Sequence, residues 1–514
     1  MNQMKPIGID IGNIRGACVS MQSGSCHMCM SSANSVTGMS TSAYIGRNGE
    51  IIVAERNRRN EAFRVDTIKR HMQAGREIAR TNGTETRRAV SDDIYTEIVR
   101  ALLRQGKDEI DSIADDQTDI RGLGAVICYP SAFSDEPELL ERMSAAAGRA
   151  EDDITILGMI PESGAAGIAY LDMIRKRAEQ SGGKMPESVT IALLDIGGGT
   201  SDAAVVTAQM QDPPYRLLLH DGIQDFGGKD IDDLFYEDTI MNLEKELKDT
   251  ELSTIEKYNL RDQIIRAKEE LSSQDTYPIT MNVGSYGDIH EHTVTRERLE
   301  YLSRGGILRV AGLLESLLER AAAEKIQIDT IVLTGGVSRM PLVSECIREL
   351  VRQKGIQTGD GREMSVEIFD PSWSVAKGAA IYAVGRKKIM EQRTRHNYCF
   401  RQADRNGIEH FTLCIPYAKA LPAKSRPLPM TRIGNRLEVS IAYDETGKEI
   451  STGEGEEADP SRMREFRRFY FDEASGEVTF AVDENMMLTV TLKTEDGREI
   501  SRCTGRLKGE KAHG

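Results

Sequence analysis

The chain has 514 residues, of which 39% are hydrophobic and 29% are charged, the balance of an ordinary folded protein. Its length exceeds what one hydrophobic core organises, so two or three domains are expected. The net charge of -15 and the lack of an apolar run of about 18 to 20 residues exclude nucleic acid and a membrane as expected partners.

The N-terminal residues and the cysteines indicate a reducing compartment. Residues 1–6 are polar and show no signal-peptide pattern, so we expect a cytoplasmic protein. Eight cysteines in a chain of this length do not suggest a disulfide framework. Cys26 and Cys29 form a CxxC motif between two early strand candidates, but a zinc site needs about four ligands and a redox pair normally opens a helix. We therefore interpret the motif as a chance occurrence.

The first organising pattern of the chain occurs twice. Residues 7–12 (IGIDIG) recur as residues 193–200 (LLDIGGGT), so each copy has an apolar run, an aspartate and a glycine turn. A second apolar strand follows each turn, at Gly16–Met21 and at Ala203–Thr207. Two such strand-turn-strand units, well separated in sequence, predict two related lobes that face each other.

Helical periodicity and short apolar runs alternate between and after these units, which indicates an α/β architecture. The predicted helices are Asp92–Arg104, Leu139–Gly148, Ala165–Lys176, Ile231–Lys248, Ile255–Leu271, Arg296–Glu324 and Pro341–Arg352. The predicted strands among them are Leu123–Cys128, Ile154–Leu157 and Thr330–Leu333.

The pattern changes after about residue 390. From Tyr398 onward apolar and polar residues alternate, which predicts an all-β domain of roughly 110 residues. The predicted organisation is residues 1–388, a linker at 389–397, the β domain at 398–507 and a disordered tail at 508–514. Turn signals separate the predicted strands at Arg405-Asn406-Gly407, Thr446-Gly447, Ser475-Gly476 and Asp496-Gly497.

Glycines beside the strand ends indicate phosphate binding. The backbone N–H groups of Gly197–Gly199 can converge on phosphate oxygens because no side chain blocks them, and Thr200 adds a hydroxyl donor. Asp10 and Asp195 would repel phosphates, so we expect them to hold the waters of a Mg²⁺ that bridges the phosphates. The alternative is that both aspartates only form tight β-turns.

Two further glycine pairs stand where a strand or loop leads into a helix. Gly335-Gly336 follows the strand at 330–333 and precedes the helix at 341, a junction that allows an adenosine to lie against the backbone. Gly227-Gly228 opens the helix near 231 in the same way. Alone, each pair is common in α/β proteins.

In their order along the chain, these motifs resemble those of the 70-kDa heat-shock chaperones. The similarity covers nearly all of residues 5 to 390 and continues more weakly into the β domain. The segments that carry it are 6–21, Thr67–Arg70, Glu162–Tyr170, Ala192–Val206, Asp225–Asp232, Arg266–Ser273, Ile331–Pro341, Ser374–Ala380, Ile415–Lys424 and Val478–Ile500.

The resemblance implies an actin-like fold, in which two ribonuclease H-like lobes form an ATPase domain and a small all-β sandwich follows. It implies ATP or ADP with Mg²⁺, and in-line attack of water on the γ-phosphate. Lys69 would stabilise charge and Glu162 would position the water, although without the resemblance both would be interpreted as a solvated surface pair. The implied catalytic residues are Lys69, Glu162, Asp195 and Thr200. The implied nucleotide-binding residues are Asp10, Gly12, Asn13, Gly197, Gly198, Gly199, Gly227, Gly228, Lys268, Ser272, Gly335, Gly336 and Arg339, with Asp10 and Asp195 holding Mg²⁺ through water.

Several positions depart from the pattern of these chaperones. The linker region 389–396 is polar and basic instead of apolar, and no helical lid follows the β domain. The sequence therefore predicts weak nucleotide affinity, weak coupling between ATP and peptide, and fast peptide exchange. The substituted positions are Asn13 and Ile14 for two threonines, Glu138 for an arginine, Ser163 for a proline, Ile265 for a ribose-binding glutamate, and Val337 for a serine.

Three functions remain open at this point. The first is a monomeric, ATP-dependent chaperone-like protein that binds unfolded or extended peptides, with a J-domain co-chaperone and a nucleotide exchange factor as partners. The second is a regulatory or scaffold protein that binds nucleotide but hydrolyses it slowly. The third is a sugar kinase or a filament-forming protein, which the C-terminal β domain argues against.

Overall fold

The chain divides into two compact units, neither of which has a described helix long and apolar enough to cross a bilayer. The first unit comprises Met1–Ala132, Ala146–Ala208 and Leu219–Val384, and the second comprises Phe133–Ala145, Gln209–Leu218 and Gly385–Gly514. The computed structural model describes residues 4–22, 25–29, 38–53, 58–106, 110, 122–152, 154–182, 186–209, 214–247, 252–283, 288–358, 361–369, 373–389, 394, 396–403, 408–417, 419, 421–431, 437–444, 457–472, 475–482 and 487–506.

Helices and strands are mixed up to Ile389, and the described residues after it form strands and one short 3-10 turn. The α-helices in the described residues are α1 (Ile68–Ala74), α2 (Ser91–Gln105), α3 (Pro137–Gly148), α4 (Glu162–Gln180), α5 (Gly228–Glu246), α6 (Thr254–Glu270), α7 (Arg296–Ala323), α8 (Pro341–Lys354) and α9 (Ser374–Ile389). The strands are β1 (Lys5–Ile11), β2 (Arg15–Gln22), β3 (Ser25–Met28), β4 (Met39–Ser40), β5 (Ala43–Ile45), β6 (Ile51–Val53), β7 (Arg64–Val65), β8 (Glu77–Thr81), β9 (Thr86–Val90), β10 (Leu123–Tyr129), β11 (Ile154–Pro161), β12 (Ser188–Ile196), β13 (Ser201–Gln209), β14 (Tyr215–Ile223), β15 (Thr276–Val283), β16 (Asp288–Thr295), β17 (Thr330–Thr334), β18 (Ser365–Ile368), β19 (Tyr398–Ala403), β20 (Glu409–Ile415), β21 (Ala423–Lys424), β22 (Leu428–Thr431), β23 (Leu437–Asp444), β24 (Met463–Phe471), β25 (Ser475–Val482), β26 (Met487–Thr494) and β27 (Glu499–Arg506).

Two sheets of the first part of the chain have the same strand order. One runs β3-β2-β1-β10-β11, with β4 also on β2, and the other runs β14-β13-β12-β17-β18. In both, the first strand of the repeated pattern lies in the centre and pairs in parallel with a later strand. Every residue of β10 and β17 is buried, as expected for parallel strands in the interior of an α/β sheet. This correspondence agrees with the duplication predicted from the sequence.

Local signals explain where several helices begin and end. Helix α6 begins after Ser253, whose hydroxyl accepts from the Glu256 N–H while the Glu256 carboxylate accepts from the Ser253 N–H. Helix α8 begins at Pro341, a residue suited to the first helical turn, and ends before Gly355 in the left-handed conformation. Compared with the sequence analysis, the predicted helices and strands begin and end within a few residues of their predicted bounds.

Helix α9 lies unusually close to its neighbours because two glycines permit it. A Cβ atom added to Gly378 would lie 1.7 Å from the carbonyl oxygen of Ala165 in α4. One added to Gly8 in β1 would lie 2.2 Å from the carbonyl oxygen of Ala376. The backbones of α9, α4 and β1 are thus in direct contact, and α4 and β1 carry two of the predicted site residues.

The second unit contains a β-sandwich. Its two sheets run β20-β19-β23-β24 and β21-β25-β26-β27, with β22 also on β25. Side chains from both sheets form one core, in which the Phe400 and Phe480 ring centroids lie 5.6 Å apart. Over the described part of 394–506 the only helical element is the 3-10 turn Pro460–Arg462, which agrees with the predicted all-β segment.

One predicted turn of this segment is wrong and one is confirmed. Ser475 and Gly476 lie in β25, where Ser475 pairs with Thr431 and Gly476 pairs with both Met430 and Thr494. A Cβ atom on Gly476 would lie 2.5 Å from the Lys493 carbonyl oxygen. Glycine is needed there for close approach of a strand, not for a turn. Gly497 does form a turn, with a φ of 86°. The signals at 405–407 and 446–447 lie outside the described residues.

The predicted linker, 389–397, is described only in part. Helix α9 ends at Ile389, and β19 begins at Tyr398. Thr394 is buried and its hydroxyl donates to the Pro416 carbonyl oxygen at 2.6 Å, while the Asn397 side chain accepts from the Tyr417 N–H at 2.8 Å. The end of this segment is therefore anchored within the second unit. The predicted tail, 508–514, lies outside the described residues.

The CxxC motif begins on a strand, because Cys26 lies in β3 and Cys29 follows the last residue of that strand. Cys26 belongs to β3 and its thiol lies 3.1 Å from the Met21 sulfur, whereas the Cys29 N–H donates to the Cys18 carbonyl oxygen at 2.8 Å. A hydrogen bond with Cys29, together with burial, raises the pKa of Cys18. Cys26 and Cys29 are both free thiols with different neighbours, so they do not form a pair.

Candidate active site

Three predicted acidic site residues meet around one buried lysine, which is itself a predicted site residue. Lys69, on α1, is fully buried, and its ammonium donates to a Glu162 carboxylate oxygen and lies 3.8 Å from Asp10 Oδ1. Asp10 lies near the end of β1, Asp195 near the end of β12, and Glu162 is the first residue of α4. The lysine and glutamate therefore do not form the solvated surface pair that is the alternative from sequence alone.

The cluster holds more acidic groups than basic groups. Burial raises the pKa of Asp195 to about 8, and the Glu162 and Asp10 carboxylates add to the shift. Burial also raises the pKa of Asp10 to about 7, although the Lys69 ammonium opposes this. Burial disfavours the charged form of Lys69, but Glu162 and Asp10 outweigh it and raise the lysine pKa above its ordinary value. A single ammonium thus faces three carboxyl groups.

A fourth buried carboxyl group was missed by sequence reasoning. Asp202 on β13 is 1% exposed and accepts a hydrogen bond from the Ser131 backbone N–H. Burial, with the Glu162 and Asp195 charges, raises its pKa well above the ordinary value. An aspartate directly before the apolar run 203–206, seven residues after Asp195, is the sequence signal that could have identified it.

The first glycine loop lies directly against the second. A Cβ atom added to Gly198 would lie 2.5 Å from Ile14 Cγ1, and one added to Gly199 would lie 2.7 Å from Asn13 Nδ2. Gly12 forms the preceding turn, where a Cβ atom would lie 2.3 Å from the Arg15 carbonyl oxygen. The substituted residues Asn13 and Ile14 therefore pack onto the glycines that are predicted to bind phosphate.

The side chain of Asn13 also has a buried oxygen without a hydrogen-bond partner among the described residues. The residue is 4% exposed, and the oxygen is Oδ1. Leaving a buried polar atom unpaired costs about 1 to 3 kcal/mol. This position therefore favours a bound group that supplies a donor.

The second glycine loop is held by backbone hydrogen bonds. The Gly197 N–H donates to the Thr200 carbonyl oxygen at 2.9 Å, which closes the turn and leaves Thr200 3% exposed. The N–H groups of Gly228 and Lys229 donate to the Gly197 and Gly198 carbonyl oxygens at 2.9 and 2.7 Å. Gly227 approaches this loop so closely that its Cβ atom would lie 2.6 Å from the Gly199 nitrogen.

Arg70 joins the second glycine loop to Asp230 and was not predicted as a site residue. Its guanidinium donates from Nε to the Gly199 carbonyl oxygen at 3.0 Å and forms two hydrogen bonds to Asp230, of 3.1 and 2.7 Å. The backbone N–H of Thr67, at the start of the same helix, donates to the Asn13 carbonyl oxygen at 3.2 Å. No local sequence signal indicates this arrangement, because its partners lie more than a hundred residues away.

Gly335 lies beside Asp195, on the side predicted to hold the nucleoside. Gly335 has a φ of 85°, and its Cβ atom would lie 2.3 Å from Asp195 Oδ1. Nothing lies within 4 Å of a Cβ atom on Gly336, and Arg339, three residues on, is exposed. Lys268 forms an ion pair of 2.7 Å with Asp232, and the Ser272 hydroxyl is directed at the Lys268 carbonyl oxygen at 3.5 Å.

The residues present fit a hydrated magnesium ion. Across the described ranges no three His, Cys, Asp or Glu side chains could hold a metal ion by direct coordination. Asp10 Oδ1 is nevertheless buried without a hydrogen-bond partner among the described residues, and the cluster has an excess of carboxyl groups. Mg²⁺ commonly keeps several waters, which suits indirect binding by Asp10 and Asp195.

Without metal, the free energy of unfolding is expected to decrease as the pH rises from about 5 to 8. The Asp195 carboxyl has an ordinary pKa of 3.8 and a pKa of about 8 in the fold, so in this range the folded chain holds a proton that the unfolded chain has released. Protons therefore stabilise the fold, by up to about 1.4 kcal/mol per pH unit and group. Denaturant unfolding in EDTA measures this slope.

The matched variant for this measurement is Asp195→Asn, which keeps the shape but does not titrate. Its unfolding free energy should depend less on pH than that of the wild type. Equal slopes for the two proteins would show that the Asp195 carboxyl is not protonated in the fold.

A comparison with protein-family models gives a match that covers nearly the whole chain. The model described as Hsp70 protein matches residues 6–504 of the 514 residues. The matched range includes the residues around Lys69, both glycine loops and the β-sandwich.

Proposed function

The chain belongs to the Hsp70 family, and from this premise we propose that it is a chaperone-like protein that hydrolyses ATP to regulate its binding of unfolded or extended polypeptides. The family has an actin-like two-lobed ATPase fold and generally binds ATP or ADP with Mg²⁺. In this chain the mixed α/β part would be the ATPase and the β-sandwich the peptide-binding part. The domain bounds predicted from the sequence belong to this proposal.

One observation carries the proposal, namely the fully buried Lys69 between Glu162 and Asp10, with Asp195 in the same cluster. An ion pair kept in the interior is costly unless both charges are satisfied. Its position beside two facing glycine loops supports catalysis of phosphoryl transfer better than a structural role.

In the proposed reaction, a water oxygen attacks the γ-phosphorus as the bond to the leaving ADP oxygen breaks. Bound Mg²⁺ would neutralise phosphate charge. Lys69 would stabilise the charge that develops on the γ-phosphate, and Glu162 would orient the water or accept its proton. The Thr200 hydroxyl would donate to the γ-phosphate. Asp10 and Asp195 would hold the waters of the metal.

Peptide binding would belong to the β-sandwich. Strand β24 has nine residues and is the last strand of its sheet, and an extended peptide can bind through backbone hydrogen bonds of the kind that join strands. Family members generally bind unfolded peptides and co-chaperones. A J-domain co-chaperone, a nucleotide exchange factor, a cytoplasmic location and a monomeric state are parts of the same proposal.

Two observations favour the second candidate, a nucleotide-binding scaffold with slow hydrolysis. Asn13 and Ile14 pack against the second glycine loop, and Thr394 and Asn397 are anchored within the second unit. Both features would weaken the response of the β-sandwich to nucleotide. A kinase or a filament protein gains no support from the β-sandwich.

The release of a fluorescent unfolded peptide separates the two candidates. If ATP regulates peptide binding, release should be about ten times faster with Mg-ATP than with Mg-ADP, which corresponds to about 1.4 kcal/mol of coupling. Equal release rates, together with heat on titration of Mg-ATP, would support the scaffold. No heat on titration of Mg-ATP would contradict both candidates.

A further inference from the structure

We propose that the Tyr95 hydroxyl binds a buried water that also contacts Asp10 and Lys69, and that Tyr95 is thereby a positioning residue of the catalytic cluster. The water holds the Lys69 ammonium in the place from which it acts on the phosphate. This role in hydrolysis rests on the proposed function, whereas the water site itself does not. Tyr95 is not among the site residues predicted from the sequence.

The first observation is a buried hydroxyl without a partner. Tyr95 lies on α2 and is 0% exposed, and its Oη atom has no hydrogen-bond partner within the described part of the chain. A buried tyrosine hydroxyl usually forms a hydrogen bond, because an unpaired polar atom in the interior is unfavourable. Phenylalanine would fill the same space without that cost. The tyrosine therefore favours a small polar molecule bound at its hydroxyl.

The second observation is the position of α2. This helix packs against α1, which carries Lys69, and against β1, which carries Asp10. A Cβ atom on Gly16 would lie 2.9 Å from the Asp10 carbonyl oxygen and 3.2 Å from Leu102 Cδ1. Leu102 lies seven residues after Tyr95, which is two turns further on the same face of the helix. The face that carries Tyr95 is therefore directed at the acidic cluster.

The charges of the cluster act on this hydroxyl. Burial raises the pKa of Tyr95 above its ordinary value, and the Lys69 ammonium opposes this change. The Asp10, Cys128 and Glu162 side chains raise the Tyr95 pKa further. Interactions between charges weaken with distance, so the hydroxyl lies near these groups. At neutral pH the phenol keeps its proton and can donate a hydrogen bond.

Two other atoms complete the water site. Asp10 Oδ1 is buried and has no hydrogen-bond partner among the residues described, and it lies 3.8 Å from Lys69 Nζ, too far for a direct hydrogen bond. An ammonium has three N–H donors, and over the described ranges Lys69 uses one of them, on Glu162. A buried water commonly makes about three hydrogen bonds, and here it accepts from Tyr95 and Lys69 and donates to Asp10. A carboxylate oxygen has two acceptor sites, so Asp10 can hold this water together with a water of bound Mg²⁺.

Tyr95→Phe removes only the hydroxyl. Single-turnover hydrolysis of Mg-ATP by the full chain should slow about tenfold, the upper part of the range for one lost hydrogen bond, while the dissociation constant of Mg-ATP should stay within about twofold. In a Lys69→Ala background the same change should slow hydrolysis no further, because Tyr95 acts through Lys69. Tyr44→Phe is the matched control, since this buried tyrosine bonds instead to Glu61, at 3.3 Å. It should hydrolyse ATP at the wild-type rate.

The melting temperature without nucleotide tests the water site by itself. Loss of a hydroxyl that is bonded to water should lower the melting temperature of Tyr95→Phe by about 2 °C, whereas loss of an unpaired hydroxyl would raise it. A melting temperature equal to or above that of the wild type would therefore overturn the water site.

The rates decide the positioning role. Wild-type hydrolysis by Tyr95→Phe would overturn that role, and equal slowing with and without Lys69 would overturn the action through the lysine. A wild type that does not hydrolyse ATP would contradict the proposed function and the positioning role with it. The melting temperatures would then still decide whether Tyr95 binds a water.

Discussion

Lys69→Ala is expected to slow single-turnover ATP hydrolysis by about 100-fold or more, the effect of removing a group that stabilises charge in the transition state. Lys69 is the only cation that the described residues place against Glu162 and Asp10. Without it, the γ-phosphate would develop charge next to uncompensated carboxylates. Mg-ATP binding should weaken much less than hydrolysis slows, because the glycine loops are unchanged.

The measurement is the decay of bound ATP after rapid mixing, together with the melting temperature of each variant. Lys257→Ala serves as the control, because this lysine of α6 lies 4.0 Å from Glu244 of α5 in a partly exposed pair. The control should hydrolyse ATP at the wild-type rate. A folded Lys69→Ala protein that also hydrolyses at that rate would exclude a catalytic role for Lys69.

Gly378→Ala is expected to lower the free energy of unfolding by about 3 kcal/mol, the upper part of the range for overpacking. The added methyl carbon would lie 1.7 Å from the backbone oxygen of Ala165, which no rotamer change relieves. Either α9 or α4 must move. Because Glu162 begins α4, one turn before Ala165, ATP hydrolysis should slow as well.

Gly312→Ala is the matched control for this substitution. Gly312 lies within α7, and nothing lies within 4 Å of a Cβ atom built on it. Alanine there should stabilise the protein by about 0.5 to 1 kcal/mol through helix propensity. Chemical denaturation of the two variants measures the difference. Equal unfolding free energies would contradict the close contact of α9 with α4.

Much of the fold and part of the site could be predicted because their signals are local. An apolar run that ends in an aspartate and glycines specifies both β1 with Asp10 and β12 with Asp195 within a few residues. The helices show their periodicity over three or four turns. Lys69 and Glu162 are predicted only through the resemblance to the 70-kDa heat-shock chaperones, and the structure brings both to Asp10.

The parts that could not be predicted depend on contacts between distant residues. Arg70 binds Gly199 and Asp230, which lie 129 and 160 residues away along the chain. Asp202 becomes a buried acid only where Ser131 meets it. The pair Ser475-Gly476 is typical of a turn in sequence, but pairing with a neighbouring strand keeps Gly476 in the extended conformation of β25.

Ser163, which stands where the 70-kDa heat-shock chaperones have a proline, makes a contact that the sequence does not show. The Ser163 and Ser131 hydroxyl oxygens lie 2.8 Å apart, and both residues are buried. This bond connects the residue after Glu162 with the one whose N–H donates to Asp202. The Ser131 and Ser163 hydroxyl groups therefore link the segment that holds Asp202 to the segment that holds Glu162.

The central claim is that this chain hydrolyses ATP and that hydrolysis responds to peptide. Single-turnover hydrolysis of Mg-ATP, with and without an unfolded peptide, tests it most directly on the wild type, Lys69→Ala and Thr200→Ala. We expect the peptide to accelerate hydrolysis in the wild type and to have no effect in either variant. Wild-type hydrolysis that does not exceed that of the two variants, with or without peptide, would contradict the claim.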